Sequence, residues 1–123
     1  MGELCLAQHS LEVDGRDLFV EAERLGGDVV VVLGTAACGA CRRARQLLGA
    51  LSIDALGGAP LSLVYVDATH AMGIVDDWEV FHLPGLMLLR DGEAWARVNA
   101  PLDPRALALA IRAARIGACD PQI

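Results

Sequence analysis

The chain has 123 residues, 54% hydrophobic and 21% charged, with a formal net charge of −6. That length and balance describe one globular domain with an apolar core of its own, and the acidic balance excludes nucleic acid and anionic membrane as main partners. All ten cationic residues are arginine, which excludes Schiff-base chemistry on a lysine.

The opening segment, MGELCLAQHS, has neither the basic nor the apolar region of a secretory signal. No apolar run reaches membrane-spanning length. The expected location is the cytoplasm, and the expected state is a soluble monomer. Leu11 and Val13 alternate with Glu12 and are expected to form an outer strand. Asp14-Gly15 starts a helix whose apolar stripe is Leu18, Ala22 and Leu25, with Phe19 beside it, and Gly26-Gly27 stops it. Val29 to Leu33 is apolar on both faces and β-branched, as expected of a central strand of the parallel kind.

Gly34-Thr35 ends that run, and Cys38-Gly39-Ala40-Cys41 follows. The spacing then becomes helical, with Cys41, Ala44, Leu48 and Leu51 on one face and Arg42, Arg43, Arg45 and Gln46 largely outside it. This helix is expected to fray near Gly49 and to end before Gly57-Gly58-Ala59-Pro60. Leu61 to Val66 is the next strand, terminated by Asp67; strand, helix and strand in this order imply a right-handed crossover between parallel strands. A short helical piece, roughly Ala71 to Trp78, leads to His82-Leu83-Pro84-Gly85. Leu86 to Arg90 and Glu93 to Val98 flank Asp91-Gly92, a two-residue hairpin turn. Asp103 caps a last helix with Pro104 at its first position; Leu102 and Leu107 are placed as a hydrophobic staple. Leu107, Ile111 and Ala114 form its core face, and Gly117 ends it. The expected class is α/β: a mixed central sheet flanked by helices on both faces, in a single domain over residues 1–123 with its core at about 11–116.

Two cysteines at the start of a helix point to dithiol chemistry. Residues three apart on a helix are neighbours, so the two sulfurs can close into a disulfide with little backbone change. The amides and dipole of a helix N-terminus favour negative charge, which singles out Cys38 as the thiolate and Cys41 as its resolving partner.

The residues also carry a family resemblance over roughly Leu11 to Ile116. The apolar strand running into C-G-A-C, the Leu83-Pro84 step 43 residues after Cys41, and the M-L-L-R-D-G-E hairpin resemble thioredoxin and its fold-mates. The resemblance implies a protein disulfide oxidoreductase with a redox-active disulfide and no other cofactor, taking part in cell redox homeostasis. Its partners would be disulfide-bearing or dithiol proteins, and a reductase or glutathione as electron donor. It further implies a cis Pro84 whose loop lies against the disulfide, and backbone near Leu83 that pairs with an extended stretch of substrate; an ordinary trans proline opening an edge strand is the other reading. The chain departs from the family at Ala37 in place of Trp, at Gly34 where an aromatic is common, and at Ala40 in place of Pro. It departs again at Val32 in place of a buried Asp, at Leu63 near the place of a Lys, and at Gly85 in place of Thr.

Two residues are candidates for tuning the site. Arg42, four residues after Cys38, either lowers the thiol pKa by its charge or is a solvated surface residue. His82, two before Pro84, either approaches the sulfurs from the opposite loop or is an ordinary surface histidine. Cys5 and Cys119, near the two ends, form a bridge or remain free thiols. His9 and His70 show no ligand spacing, and no metal is expected. Trp78, Trp95, Tyr65 and the methionines read as core or half-buried packing. Two other readings compete: a protein-binding module for assembly or chaperone work with vestigial or regulatory cysteines, and, more distantly, a zinc or iron–sulfur site.

Overall fold

A computed structural model describes residues 4–117; Cys119, and with it any Cys5–Cys119 bridge, lies outside the described residues. The strands are β1 (Ser10–Glu12), β2 (Asp28–Gly34), β3 (Leu61–Asp67), β4 (Gly85–Arg90) and β5 (Glu93–Arg97). The helices are α1 (Leu18–Leu25), α2 (Gly39–Gly49), α3 (Met72–Asp77) and α4 (Pro104–Ile116), with short 3₁₀ turns at Leu6–His9, Gly15–Asp17, Asp54–Leu56 and Ala68–His70. The sheet has five strands in the order β1-β3-β2-β4-β5. β3 is parallel to both β1 and β2, while β4 is antiparallel to β2 and β5. The expected parallel strand at Val29–Leu33 is therefore parallel along one edge only, because its other neighbour belongs to the hairpin.

Two apolar layers sandwich β2. Val30 and Val32 face a core that includes Leu48 of α2 and Leu107 and Ile111 of α4. Val29, Val31 and Leu33 face Leu18 and Ala22 of α1 and Trp78 beside α3. Every residue from Asp28 to Leu33 is buried, as a doubly covered strand requires.

Local signals set the element ends. Asp14 accepts the Arg16 amide and opens a 3₁₀ turn, so the first helix begins one turn later, at Leu18. Asp103 accepts the Ala106 amide at 2.9 Å ahead of Pro104. Asp91 and Gly92 take φ of 52° and 85°, the left-handed pair that a tight hairpin needs. α2 stops at Gly49, so Leu51 is buried but lies beyond the helix. Trp78 is buried and Trp95 and Tyr65 are half-buried, whereas Met72 is exposed on α3, against the expected packing role.

A polar clasp closes the sheet end that holds the start of β2. Asp28 is 7% exposed and receives two guanidinium groups. Arg90 Nε lies 2.7 Å from its Oδ1, and Arg115 Nε lies 2.8 Å from its Oδ2. Arg115 also donates to the carbonyls of Leu56, Ala59 and Pro60, and Arg90 donates to the carbonyl of Arg115. Arg90 stacks 4.4 Å over the Trp95 ring, whose Nε1–H donates to the Gly117 carbonyl. The clasp thus ties β2, β4, the 54–60 loop and the end of α4.

Burial by itself would raise the Asp28 carboxyl, but hydrogen bonds from Arg90 and Arg115 outweigh it and hold the group below its ordinary value. Its stabilisation is therefore complete above the unfolded carboxyl pKa of about 3.9 and is lost as pH falls through the lower folded value. Asp28→Asn leaves two guanidinium groups without their anion and should lose about 3–5 kcal/mol. Urea unfolding at neutral and acidic pH checks both points: the variant is weaker at pH 7, and its stability falls less steeply in acid than that of the wild type.

Candidate active site

β2 runs out at Gly34, and a turn through Thr35–Ala37 delivers Cys38 to the start of α2. Cys38 is the N-cap residue itself, with extended φ and ψ of −85° and 113°, one position ahead of the helical turn expected for it. Its Sγ accepts the Cys41 amide N–H at 3.1 Å, and its carbonyl accepts the Arg42 amide. The sulfur thus takes the place of a capping oxygen and meets the free amides of the helix end. Both residues are free thiols; Cys38 is half-buried and Cys41 is 2% exposed.

The strand explains why Cys41 can sit so deep. Side chains alternate along β2, so Val30, Val32 and Gly34 point toward α2. A Cβ at Gly34 would lie 2.9 Å from both Cβ and Sγ of Cys41. The missing side chain is the seat of the Cys41 sulfur. The alternation that ends in a glycine opposite the first helical turn is the signal in the sequence, and it assigns Gly34 a role that its family departure alone did not.

This arrangement separates the two thiols electrically. The Cys38 pKa is lowered by its hydrogen bond with Cys41, then by the amides of Cys41 and Ala40, with a smaller contribution from Arg42. The Cys41 thiol is pushed up by burial first and by its hydrogen bond to Cys38 second. Arg42 is exposed, and its charge lowers the Cys38 pKa as the last and smallest of the causes. Its guanidinium folds back, and Nη1 donates to the Ala36 carbonyl at 2.6 Å, so it ties down the loop ahead of Cys38 while adding a little positive charge.

The Leu83–Pro84 bond is cis. Gly85 pairs with Leu33 across β2 and β4, which sets Pro84 beside the strand end that leads to the cysteines. Leu83 packs partly into the core on the α1 side. His82 is exposed and lines a groove with Phe81, Pro84, Leu86, Asn99 and Leu102. Phe81 is 85% exposed on that groove. A Cβ at Gly85 would lie 2.8 Å from Val80 Cγ1, so a residue larger than Gly after the proline would displace the loop. Among the described residues no group of three or more His, Cys, Asp or Glu side chains gathers as a metal site, and no helix is long and apolar enough to cross a membrane.

The charge separation is measurable by alkylating the reduced protein with iodoacetamide across pH. Cys38 should react with an apparent pKa below the free-cysteine value of about 8.5, while Cys41 lags behind. Gly34→Ala overpacks the seat of Cys41 and should cost about 1–3 kcal/mol in urea unfolding, with little effect on the alkylation of Cys38.

No protein-family model matches the chain, and no curated protein matches it either. Solved structures do match. A mutant thioredoxin from Halobacterium salinarum aligns with a TM-score of 0.66 at 19% identity, over 93% of this chain and 96% of that one. Mitochondrial thioredoxin 3 from Saccharomyces cerevisiae, in its oxidised form, aligns with a TM-score of 0.64 at 17% identity, over 86% of this chain and 96% of that one. Human ERp44 in a zinc-bound form aligns with a TM-score of 0.62 at 15% identity, over 84% of this chain but only 30% of its own length. Together with the mixed five-stranded sheet, these likenesses establish an α/β protein with a thioredoxin-like fold.

Proposed function

We propose that the protein is a thiol–disulfide oxidoreductase acting on protein substrates through Cys38 and Cys41. The observation that carries this reading is the capping bond from the Cys41 amide to Cys38 Sγ, with the Cys41 sulfur buried directly behind it. One sulfur is presented as a thiolate, and the other is held in reserve within reach of it.

In the reductive direction the Cys38 thiolate attacks a substrate disulfide and forms a mixed disulfide, releasing one substrate sulfur as a thiolate. Cys41 then attacks Cys38 Sγ, releases the second substrate sulfur, and leaves Cys38–Cys41 oxidised. Run backward, the same steps oxidise a substrate dithiol. The chain then needs a reductase or glutathione to restore its thiols, and no cofactor beyond its own disulfide. Leu83 and Pro84 form the facing loop, where an extended substrate segment would pair with the backbone. Arg42 acts through the loop that it holds and through its charge, and His82 would contact a substrate segment from the groove beside Pro84. The reading takes a monomer in the cytoplasm, since four cysteines are too few for the framework of a secreted domain.

A second reading draws on the exposed Phe81 beside Pro84: a protein-binding module in which the cysteines are regulatory. One set of variants separates the two. The reduced wild type should reduce a protein disulfide such as insulin, Cys38→Ser should abolish the activity, and Cys41→Ser should trap a covalent mixed disulfide on a nonreducing gel. Failure of the wild type to reduce or oxidise any disulfide substrate would discard the enzymatic reading in favour of the module.

A further inference from the structure

Charge is distributed unevenly about the sheet. α2 and α4 pack on one face of it, through Leu48, Leu107 and Ile111. Each of these helices carries three arginines and no acid. α1 and α3, on the other face, carry Glu21, Glu23, Asp76 and Asp77 against a single arginine, Arg24. The sequence has no aspartate or glutamate between Asp28 and Asp54, a stretch that includes Cys38, Cys41 and all of α2. The surface around Cys38 on the α2 side is therefore basic, in a chain whose formal net charge is −6.

Of the three α2 arginines, Arg45 is engaged by Glu12 at 3.2 Å. Arg42 and Arg43 are exposed and make no ion pair among the described residues. Arg42 Nη1 donates to the Ala36 carbonyl, and a Cβ at Gly39 would lie 3.8 Å from Arg42 Nη2. The guanidinium thus lies along the 36–39 stretch that carries Cys38, held in place by a neutral partner that leaves its charge uncompensated. Arg43 is the next residue on the same exposed side of the helix. The groove beside Pro84 is balanced by comparison, with one acid, Glu79, and one arginine, Arg97, on its wall.

We propose that Arg42 and Arg43 form a docking surface for an acidic segment of the substrate protein, one that carries aspartate or glutamate beside its disulfide. The inference rests on the redox reading above and names the substrate class for the same site. Two exposed, unpaired guanidinium groups beside the attacking sulfur complement carboxylates on the segment that delivers the disulfide. Their reach is short, because salt at physiological strength screens charge over about 8 Å. Beyond that distance the net charge of −6 acts as a whole and repels a long polyanion. The surface therefore fits a short acidic stretch in contact with α2. Arg42, already held by the loop, orders little further on binding, and Arg43 supplies a second charge one residue on.

The test uses the reduced full chain and two fluorogenic peptide disulfides that differ only in their flanking residues, glutamate in one and lysine in the other. Each second-order rate of reduction is divided by that of dithiothreitol in the same buffer, which removes the intrinsic reactivity of the peptide. At low salt the wild type should favour the glutamate peptide about tenfold, and in ~1 M salt the preference should shrink to about twofold or less. R43E should cut the low-salt preference about threefold or more, and R43K, which keeps the charge, should retain it. R24E, on the opposite face, should match the wild type. Because each value is a ratio of two substrates on one protein, a general loss of Cys38 reactivity cancels. A wild type that reduces both peptides equally, a preference that salt does not weaken, or a loss in R24E equal to that in R43E overturns the docking surface and leaves the redox reading standing. A wild type that reduces neither peptide overturns the redox reading and this inference with it.

Discussion

A strand buried on both faces and hydrogen-bonded along both edges has almost no freedom to move, and β2 is such a strand. Its neighbours are β3 on one edge and β4 on the other, and apolar layers cover it above and below. Whatever is attached to its ends inherits that rigidity. One end is Asp28, fixed between two arginines. The other is Gly34, which delivers the chain to the cysteines. The site therefore needs no long ordered loop to hold it, since three residues separate the rigid strand from the N-cap sulfur.

The two thiols differ in character although they are near neighbours on one helix. Cys38 meets backbone amides and partial exposure, which favour charge. Cys41 meets apolar surroundings, which oppose it. The same short segment thus presents the more readily ionised thiol outward and keeps the less readily ionised one inward. Small residues make this possible. Gly34 gives the inner sulfur its volume, and Gly85 lets Val80 close against the start of β4.

Features written locally were legible in the sequence. The C-G-A-C spacing, the apolar run before it, the Asp91-Gly92 turn and the Asp103-Pro104 cap depend on residues within a few positions of one another, so pattern alone locates them. Features that join distant residues were not. The Arg115–Asp28 contact spans 87 positions, and Asp28 reads in isolation as an ordinary strand-flanking acid. The 3₁₀ turn at Leu6–His9 is anchored by Leu6 bonding to the Leu51 carbonyl, a contact that no local period encodes. At the site, the positions of Cys38, Cys41 and Pro84 followed from motif and resemblance, while the direction of the Arg42 side chain did not. Its partner is a backbone carbonyl, and a carbonyl carries no residue identity to read.

The polar clasp and the dithiol occupy opposite ends of β2. Opening or closing a bond between the sulfurs leaves the ionic contacts around Asp28 untouched, and protonating Asp28 leaves the cap of α2 in place. Acidity and electron supply therefore address different poles of one immobile rod. On the proposed redox reading, a substrate protein docking at the cysteine pole would meet the oxidation state there, independent of how firmly the far pole is fastened.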